Sequence, residues 1–256
     1  MQALGNDFVI IDAIAQGFLE DMDSSLIQNI SDRHTGVGCD QVLIVKESKI
    51  ADVAISIFNP DASPAMACGN GTRCVAWLYM QEMQNDEISI QVGARVLHAW
   101  KAGEHNISVD MLQPTFDASF TSKLQEKIPA TFVSFGNPHV VVEGAYSEHD
   151  SVLRCVSEIF PDGANVEWLT VIDEHCISIS IHERGAGLTK ACGTGACASA
   201  VVAISKGCCK SPVTVLMQGG NVRVDFSETA VLTGTCSFVF EGKIDYSPAC
   251  TSGSLE

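Results

Sequence analysis

Apolar residues in this chain come in short runs, many of them alternating with polar ones. DFVIIDA (7–13), DQVLIVKE (40–47), DVAISIFN (52–59), ISIQV (88–92), ARVLHAW (94–100), ATFVSF (130–135), HVVVE (139–143), EWLTVI (167–172), CISISIHE (176–183), VTVLMQ (213–218) and VRVDF (222–226) are rich in β-branched or aromatic residues and bounded by Gly, Pro, Asn or Asp. Such runs predict strands, so the chain reads as mostly sheet. Two segments follow another rule. GTRCVAWLYMQEM (71–83) and GACASAVVAISKG (195–207) hold no turn former inside and are apolar almost all round, which predicts two buried helices. Shorter helices are predicted over SSLIQNISDRH (24–34) and DSVLRCVSEIF (150–160).

Each predicted buried helix opens within a similar octet: ACGNGTRC begins at Ala67 and ACGTGACA at Ala191. Sliding the chain by 124 positions lays AISIFN (54–59) on SISIHE (178–183), Cys68 on Cys192, Gly69 on Gly193 and Gly71 on Gly195. GNDFVIID (5–12) matches GNPHVVVE (136–143) at a slightly longer offset of 131, a drift that belongs in a loop. Self-similarity of this length predicts two halves, each a sheet wrapped round one buried helix. The link is expected near MLQPTFDAS (111–119), where Pro114 interrupts the strand pattern. The expected lobes are residues 1–113 and 114–235.

Composition narrows the function. With 31 acidic against 15 basic residues, net charge −16 and pI near 4.7, the surface repels phosphate backbones and anionic membranes. Neither nucleic acid nor membrane is expected as a partner. No apolar run approaches the roughly 20 residues that cross a bilayer, and MQALGNDFVIIDA lacks the positive opening of a signal peptide. A cytoplasmic setting with reduced thiols is the expectation, the 11 cysteines being odd in number and irregular in spacing. The spacings also lack the repeated Cys-x2-Cys or Cys/His pattern of structural zinc, so no metal is expected.

The cysteines divide by position. Cys74 and Cys197 fall inside the predicted helices and suit small buried hydrophobes. Cys68 and Cys192 stand at the helix entrances, where free N–H groups and the positive end of the macrodipole favour a thiolate. Either sequence stretch alone leaves a packed thiol and a reactive thiol equally open. If the halves face each other, the entrances form one cleft with a thiol on each wall, and backbone N–H groups near Gly69, Asn70, Gly71, Gly193, Thr194 and Gly195 would receive a carboxylate. Asn6, Gln41, Asn59, Asn137 and Asn165 sit at strand edges or turns, where turn chemistry is the simpler role for each alone. With Glu183 and Arg184 they would cage a small zwitterion. Two thiols across a bound carboxylate suit removal of a proton from one face of a carbon and delivery to the other. That is racemisation, with the enolate charge met by oriented donors rather than by metal or pyridoxal. Lys190, two residues before Cys192, lacks the surroundings of a pyridoxal anchor.

LGNDFVIID, RHTGVGCDQ, FNPDASPAMACGNGTRC, GNPHVVV, ANVEWL and ERGAGLTKACGTGACA closely resemble the motifs of diaminopimelate epimerase, in the same order from residue 4 to about residue 200. The resemblance implies an α+β fold of two pseudo-symmetric lobes, each a mostly antiparallel sheet or barrel around a central helix, with the active site between them. It implies cofactor-independent interconversion of LL- and meso-diaminopimelate in lysine and peptidoglycan synthesis, by a cytoplasmic homodimer acting on a small-molecule substrate. Carried over motif by motif, Cys68 and Cys192 are the catalytic acid/base pair. Asn6, Gln41, Asn59, Gly69, Asn70, Asn137, Asn165, Glu183, Arg184, Gly193 and Thr194 bind substrate, Arg184 suiting a distal carboxylate and Glu183 a distal ammonium. His139 and Glu183 adjust thiol protonation, although GNPH alone fits a merely packed histidine equally well.

Two departures stand out. Gln2-Ala3 occupies the place of a His-Gly, with fewer residues ahead of it, which points to a shortened first strand or a misassigned start; NPDAS replaces Asn-Ala-Asp-Gly-Ser, which would stiffen the loop after Asn59. Following the family, CSFVFEGKI should return over 236–246 as a strand of the first lobe, and the tail 247–256 should be disordered, with no role for Cys250. Two rival readings remain: a racemase for another amino acid, such as a proline-racemase-like enzyme, and a non-enzymatic thiol or redox protein. Facing thiols would also allow an oxidative Cys68–Cys192 link.

Overall fold

The computed structural model describes residues 1–16, 23–65, 67–144 and 149–244. The expected tail 247–256, Cys250 included, lies outside them. The first half runs β1 (Gln2–Ala3), β2 (Asn6–Asp12), α1 (Ala13–Gln16), α2 (Ser24–Ser31), β3 (Gln41–Lys46), β4 (Val53–Phe58), α3 (Gly69–Met83), β5 (Glu87–Val92), β6 (Arg95–Lys101) and β7 (Asn106–Asp110). The second runs β8 (Thr115–Phe116), α4 (Ala118–Gln125), β9 (Ala130–Ser134), β10 (Pro138–Glu143), α5 (His149–Ile159), β11 (Asn165–Asp173), β12 (Cys176–Glu183), β13 (Gly187–Thr189), α6 (Gly193–Ser205), β14 (Val213–Met217), β15 (Gly220–Phe226) and β16 (Ala230–Thr235).

The two halves repeat one wiring. β2 pairs in parallel with β3, β3 antiparallel with β4, β4 in parallel with β5, and β5, β6 and β7 follow antiparallel. β10, β11, β12, β14, β15 and β16 repeat that sequence of pairings. Each parallel pair needs a crossover, and a helix supplies each one: α2 and α5 between the first pair of each half, α3 and α6 between the second. The halves meet along β7 and β16, which pair antiparallel from Val231–Asp110 to Thr235–Asn106 and join all the strands but β13, which pairs with β12, into one path. Neither seam strand stands out in the sequence. NISVD is short, and AVLTGT carries Gly234, where a Cβ would come within 2.9 Å of Val222 and 3.2 Å of Arg73.

The apolar all-round pattern of the two long helices has its cause in this arrangement. Every residue of α6 from Gly193 to Ala203 is buried, and α3 and α6 share one apolar cluster with the inner faces of both sheets. Small residues let the strands close on α6, and each fully buried Val adds about 1.5–3 kcal/mol. α2 and α5 cover the outer faces with clusters of their own, one around Leu26, Ile27 and Ile30, the other around Val152, Cys155 and Val156. β11 is accordingly buried on both faces from Asn165 to Leu169. Helix α4 was not expected; it is capped by Asp117, whose carboxylate accepts from Ser119 and Phe120 N–H. After β16 the chain bridges Ser237 to Gln2 and sets the Phe238 ring tilted against Trp77, centroids 6.3 Å apart, but 238–244 form no strand.

Candidate active site

The long helices begin two residues earlier than their sequence pattern predicts, directly after the cysteines. Cys68 is the N-cap of α3 (φ −150°, ψ 97°) and Cys192 the N-cap of α6 (φ −132°, ψ 117°). Each sulfur accepts the N–H of the glycine three residues on, Gly71 at 3.3 Å and Gly195 at 3.4 Å. A thiol thus fills the place ordinarily taken by Ser, Thr, Asn or Asp. Cys74 and Cys197 are fully buried inside their helices.

The two helix entrances abut. A Cβ on Gly69 would lie 3.4 Å from Gly193 Cα, and one on Gly193 would lie 3.2 Å from Gly69 Cα. Asn70 Nδ2 crosses between the lobes to Ala191 O at 3.4 Å. Arg95 of β6 crosses on another side, donating from Nη1 to Phe135 O at 2.6 Å. The turn it lies on needs a glycine: Gly136 has φ +95°, and a Cβ there would strike the guanidinium. A cleft beside Cys68 is lined by Thr72, Arg95 and Met111 from the first half and by Phe135 from the second. Two positive helix ends meeting in this way repel, and an anion placed beside them would be stabilised.

The amides come from corresponding strand ends. Asn6, Gln41 and Asn165 open β2, β3 and β11, Asn59 follows β4, and Asn137 precedes β10. Asn6 Oδ1 accepts from Asn70 Nδ2 at 3.4 Å and faces the Cys68 thiol at 4.0 Å, while its Nδ2 donates to Asp40 at 2.9 Å. Gln41 donates to Asn59 Oδ1 at 3.1 Å. Asn137 Nδ2 donates to Thr194 Oγ1 at 3.2 Å, and that hydroxyl lies 3.4 Å from Cys192 Sγ. Asn165 Oδ1 receives the Arg184 N–H at 2.9 Å. Glu183 is half-buried and accepts from Thr189 at 2.6 Å; Arg184 is exposed, its Nη1 reaching Asp162 O at 3.4 Å. His139 is fully buried, Nδ1 against Glu167 Oε1 at 2.7 Å.

The two walls differ electrostatically. Burial pushes the Cys68 thiol up to about 12, with the Glu183 charge adding to it and the Gly71 N–H and Arg73 opposing. Burial likewise raises Cys192 well above an ordinary thiol, and here Glu183 and Glu167 both push the same way. Glu183 is itself raised, chiefly by burial, against the hydrogen bonds of Thr189 and Cys192. Both sulfurs are free, and burial favours the protonated thiol at each.

Three contributors escaped the sequence reading. Arg73 is 0% exposed in the middle of α3, donating to Gly69 O at 3.3 Å and Asn70 Oδ1 at 2.8 Å. Glu167 is 0% exposed on β11. Asp40 holds Asn6 and is itself held by Arg33 at 2.8 Å. The first two had a signal: each is a lone charge inside a run otherwise apolar, where an unpaired charge is costly.

The model of the family described as "Diaminopimelate epimerase" matches residues 1–116 and 131–239. A diaminopimelate epimerase from Phenylobacterium zucineum is 35% identical over 267 residues, covering 95% of this chain and 96% of its own. Another from Rhizorhabdus wittichii is 37% identical over 266 residues, covering 96% and 94%. Among solved structures, a phenazine biosynthesis protein of the PhzF family from Bacillus anthracis superposes with a TM-score of 0.64 at 19% identity, covering 92% of each chain, a likeness of fold alone.

Proposed function

The chain belongs to the diaminopimelate epimerase family, and from that membership we infer an isomerase that interconverts LL- and meso-2,6-diaminopimelate, with Cys68 and Cys192 as its acid and base. The observation that carries the assignment of roles is the contact of the two cysteine-capped helix entrances at Gly69 and Gly193. It supports a reading in which each lobe contributes one thiol to a shared site.

In the forward direction the thiolate of one cysteine takes the α-hydrogen as a proton and becomes a thiol. The electron pair left on the α-carbon delocalises into the carboxylate, whose growing negative charge faces the opening N–H groups of α3 and α6. The opposite thiol then protonates the other face and becomes the thiolate, so the reverse reaction starts from the state this one leaves. Cys68 is assigned as donor and Cys192 as acceptor for the LL-to-meso direction. Asn6 with Asn70, and Asn137 with Thr194, are hydrogen-bonded pairs set around the sulfurs, and they are the groups assigned to receive the reacting amino-acid head. Gln41 and Asn59 extend this rim, and Asn165 fixes the Arg184 backbone. Glu183 and Arg184, adjacent at the end of β12, meet the distal ammonium and carboxylate. A second head group of opposite charges separates this substrate from a simple monocarboxylic amino acid.

No cofactor is assigned to the reaction. For assembly we propose a homodimer, supported by Phe238, Val239 and Phe240, consecutive side chains 47, 59 and 61% exposed. A cytoplasmic setting is proposed in keeping with the acidic, cysteine-rich chain; among the described residues no helix is long and apolar enough to cross a membrane. The deciding experiment is incubation of reduced protein with LL-diaminopimelate in deuterated water. Deuterium is expected at the α-carbon as meso product forms, and its absence by mass spectrometry would sink the reading.

A further inference from the structure

The repeated wiring allows a comparison, residue by residue, of what lies beneath each helix entrance. Phe8 of β2 is in register with Gln41 of β3, and in the second lobe His139 of β10 is in register with Asn165 of β11. Under α3, a Cβ on Gly71 would meet Leu43 Cδ1 at 2.9 Å; under α6, a Cβ on Gly195 would meet Glu167 Oε1 at 2.5 Å. Phe8 and Leu43 are thus the twins of His139 and Glu167. The first lobe fills this space with an apolar pair, 3% and 0% exposed, and the second with a histidine and a carboxylate, both 0% exposed and 2.7 Å apart.

The fold therefore does not need an acid–base pair at this point, since its own other half builds the same turn without one. A buried pair of this kind is no more stabilising than a well-packed apolar pair of similar volume, and is often less so. Its polar atoms are also only partly used. His139 Nε2 and Glu167 Oε2 are buried without a protein partner. If Glu167 is the acceptor, Nδ1 carries the hydrogen toward it and Nε2 is the nitrogen turned away. The titratable groups around Glu167 are His139 from β10, Glu183 from β12 and Cys192 at the start of α6.

We propose that Glu167 is a positioning residue for the reaction: it locks His139 through Nδ1 and holds the imidazole–carboxylate pair beneath Cys192 and Glu183, so that only the second wall of the cleft carries a buried proton-handling pair. This rests on the reading of Cys192 as an acid/base group. The logic is that of a carboxylate behind a catalytic imidazole, which sets tautomer and orientation without touching substrate. It makes the two half-reactions unequal, although the helix entrances that perform them are near copies.

Three variants test it. Glu167→Gln keeps shape and removes the charge; α-deuterium exchange is expected to fall about 10- to 100-fold in kcat, by analogy with supporting groups behind metal ligands, with KM little changed and partial recovery in Glu167→Asp. Loss of that negative charge eases ionisation of Cys192, so the limb of the pH–rate profile that Cys192 governs moves to lower pH. Nitrogen-15 spectra of His139, recorded without substrate, are expected to show the Nδ1-protonated tautomer in the native protein and a mixture in Glu167→Gln. The paired variant His139→Phe/Glu167→Leu copies the first lobe; it is expected to fold with a Tm equal to or above the native value and to lose at least as much exchange. Glu167→Gln with native kcat, pH profile and His139 spectrum would overturn the proposal, as would a paired variant that fails to fold or stays active. The spectra judge Glu167 even if the native protein proves inactive on diaminopimelate, an outcome that would count against the substrate alone.

Discussion

Gly193→Ala tests the contact on which the site depends. The new methyl would lie 3.0 Å from Leu232 Cδ2 and 3.2 Å from Gly69 Cα, against about 3.5–4.0 Å for a relaxed carbon–carbon contact. Leu232 is 0% exposed and the second neighbour is backbone, so the space must come from moving α3 and α6 apart by roughly half an ångström. Overpacking costs about 1–3 kcal/mol, and the better helix propensity of Ala returns up to about 1 kcal/mol. A net loss of about 0–2 kcal/mol is expected in urea unfolding. The rate should suffer more visibly. Misplacement by an ångström costs on the order of a hundredfold, so half of that predicts roughly a tenfold fall in α-deuterium exchange. Gly69→Ala, whose methyl would lie 3.4 Å from Gly193 Cα, should behave alike. The double variant places two methyls in one gap, and its loss should exceed the sum of the singles by about 0.5–3 kcal/mol. Additive stabilities together with native exchange rates in all three proteins would refute the picture of two entrances in contact.

Cys68→Ala and Cys192→Ala are each expected to abolish epimerisation, and full activity in either would exclude the two-base route. Because burial raises Cys68 to about 12, its alkylation by iodoacetamide should keep climbing by about tenfold per pH unit beyond the usual thiol range; a plateau near pH 9, read by peptide mass spectrometry, would contradict the stated environment. The same sign governs stability: the raised thiols favour the folded state fully below the unfolded thiol value of about 8.5, and that contribution drains away as pH rises toward their folded values, so the urea midpoint should fall in that window. Arg33→Ala breaks pairs of 2.7 and 2.8 Å to Asp7 and Asp40, but its side chain is 52% exposed, so a loss below about 1 kcal/mol is expected. Arg73→Ala, by contrast, empties a fully buried site and removes the side-chain donor to Asn70 Oδ1; a loss of about 3 kcal/mol or more in the same assay is expected.

Much of the fold was legible because its signals are local. Period-two runs, turn residues and the two all-apolar helices follow from side-chain alternation and from which residues accept turn geometry. The repeat, and with it the correspondence of Cys68 and Cys192 as N-caps of the two long helices, needed only the chain laid against itself. What stayed hidden were elements whose role depends on neighbours. NISVD and AVLTGT are modest strands that matter because they pair with each other across the lobes. CSFVFEGKI has the composition of a strand yet bridges only at Ser237. Local composition sets what a segment can become, and a free edge to pair with decides whether it does.

The same division runs through the site. Cysteine followed by Gly-x-Gly at a helix start is enough to specify an N-cap whose sulfur takes the third N–H, and the octets place that cap twice. Which atoms face those sulfurs is set by contacts far apart in the chain: Asn70 to Ala191, separated by 121 positions, and His139 to Glu167, separated by 28. Along the sequence Glu167 is a lone charge in a strand and Arg73 a lone charge in a helix. Only the folded sheet and the helices packed on it, by removing water from every side of them, turn each into a group that must find a partner in the interior.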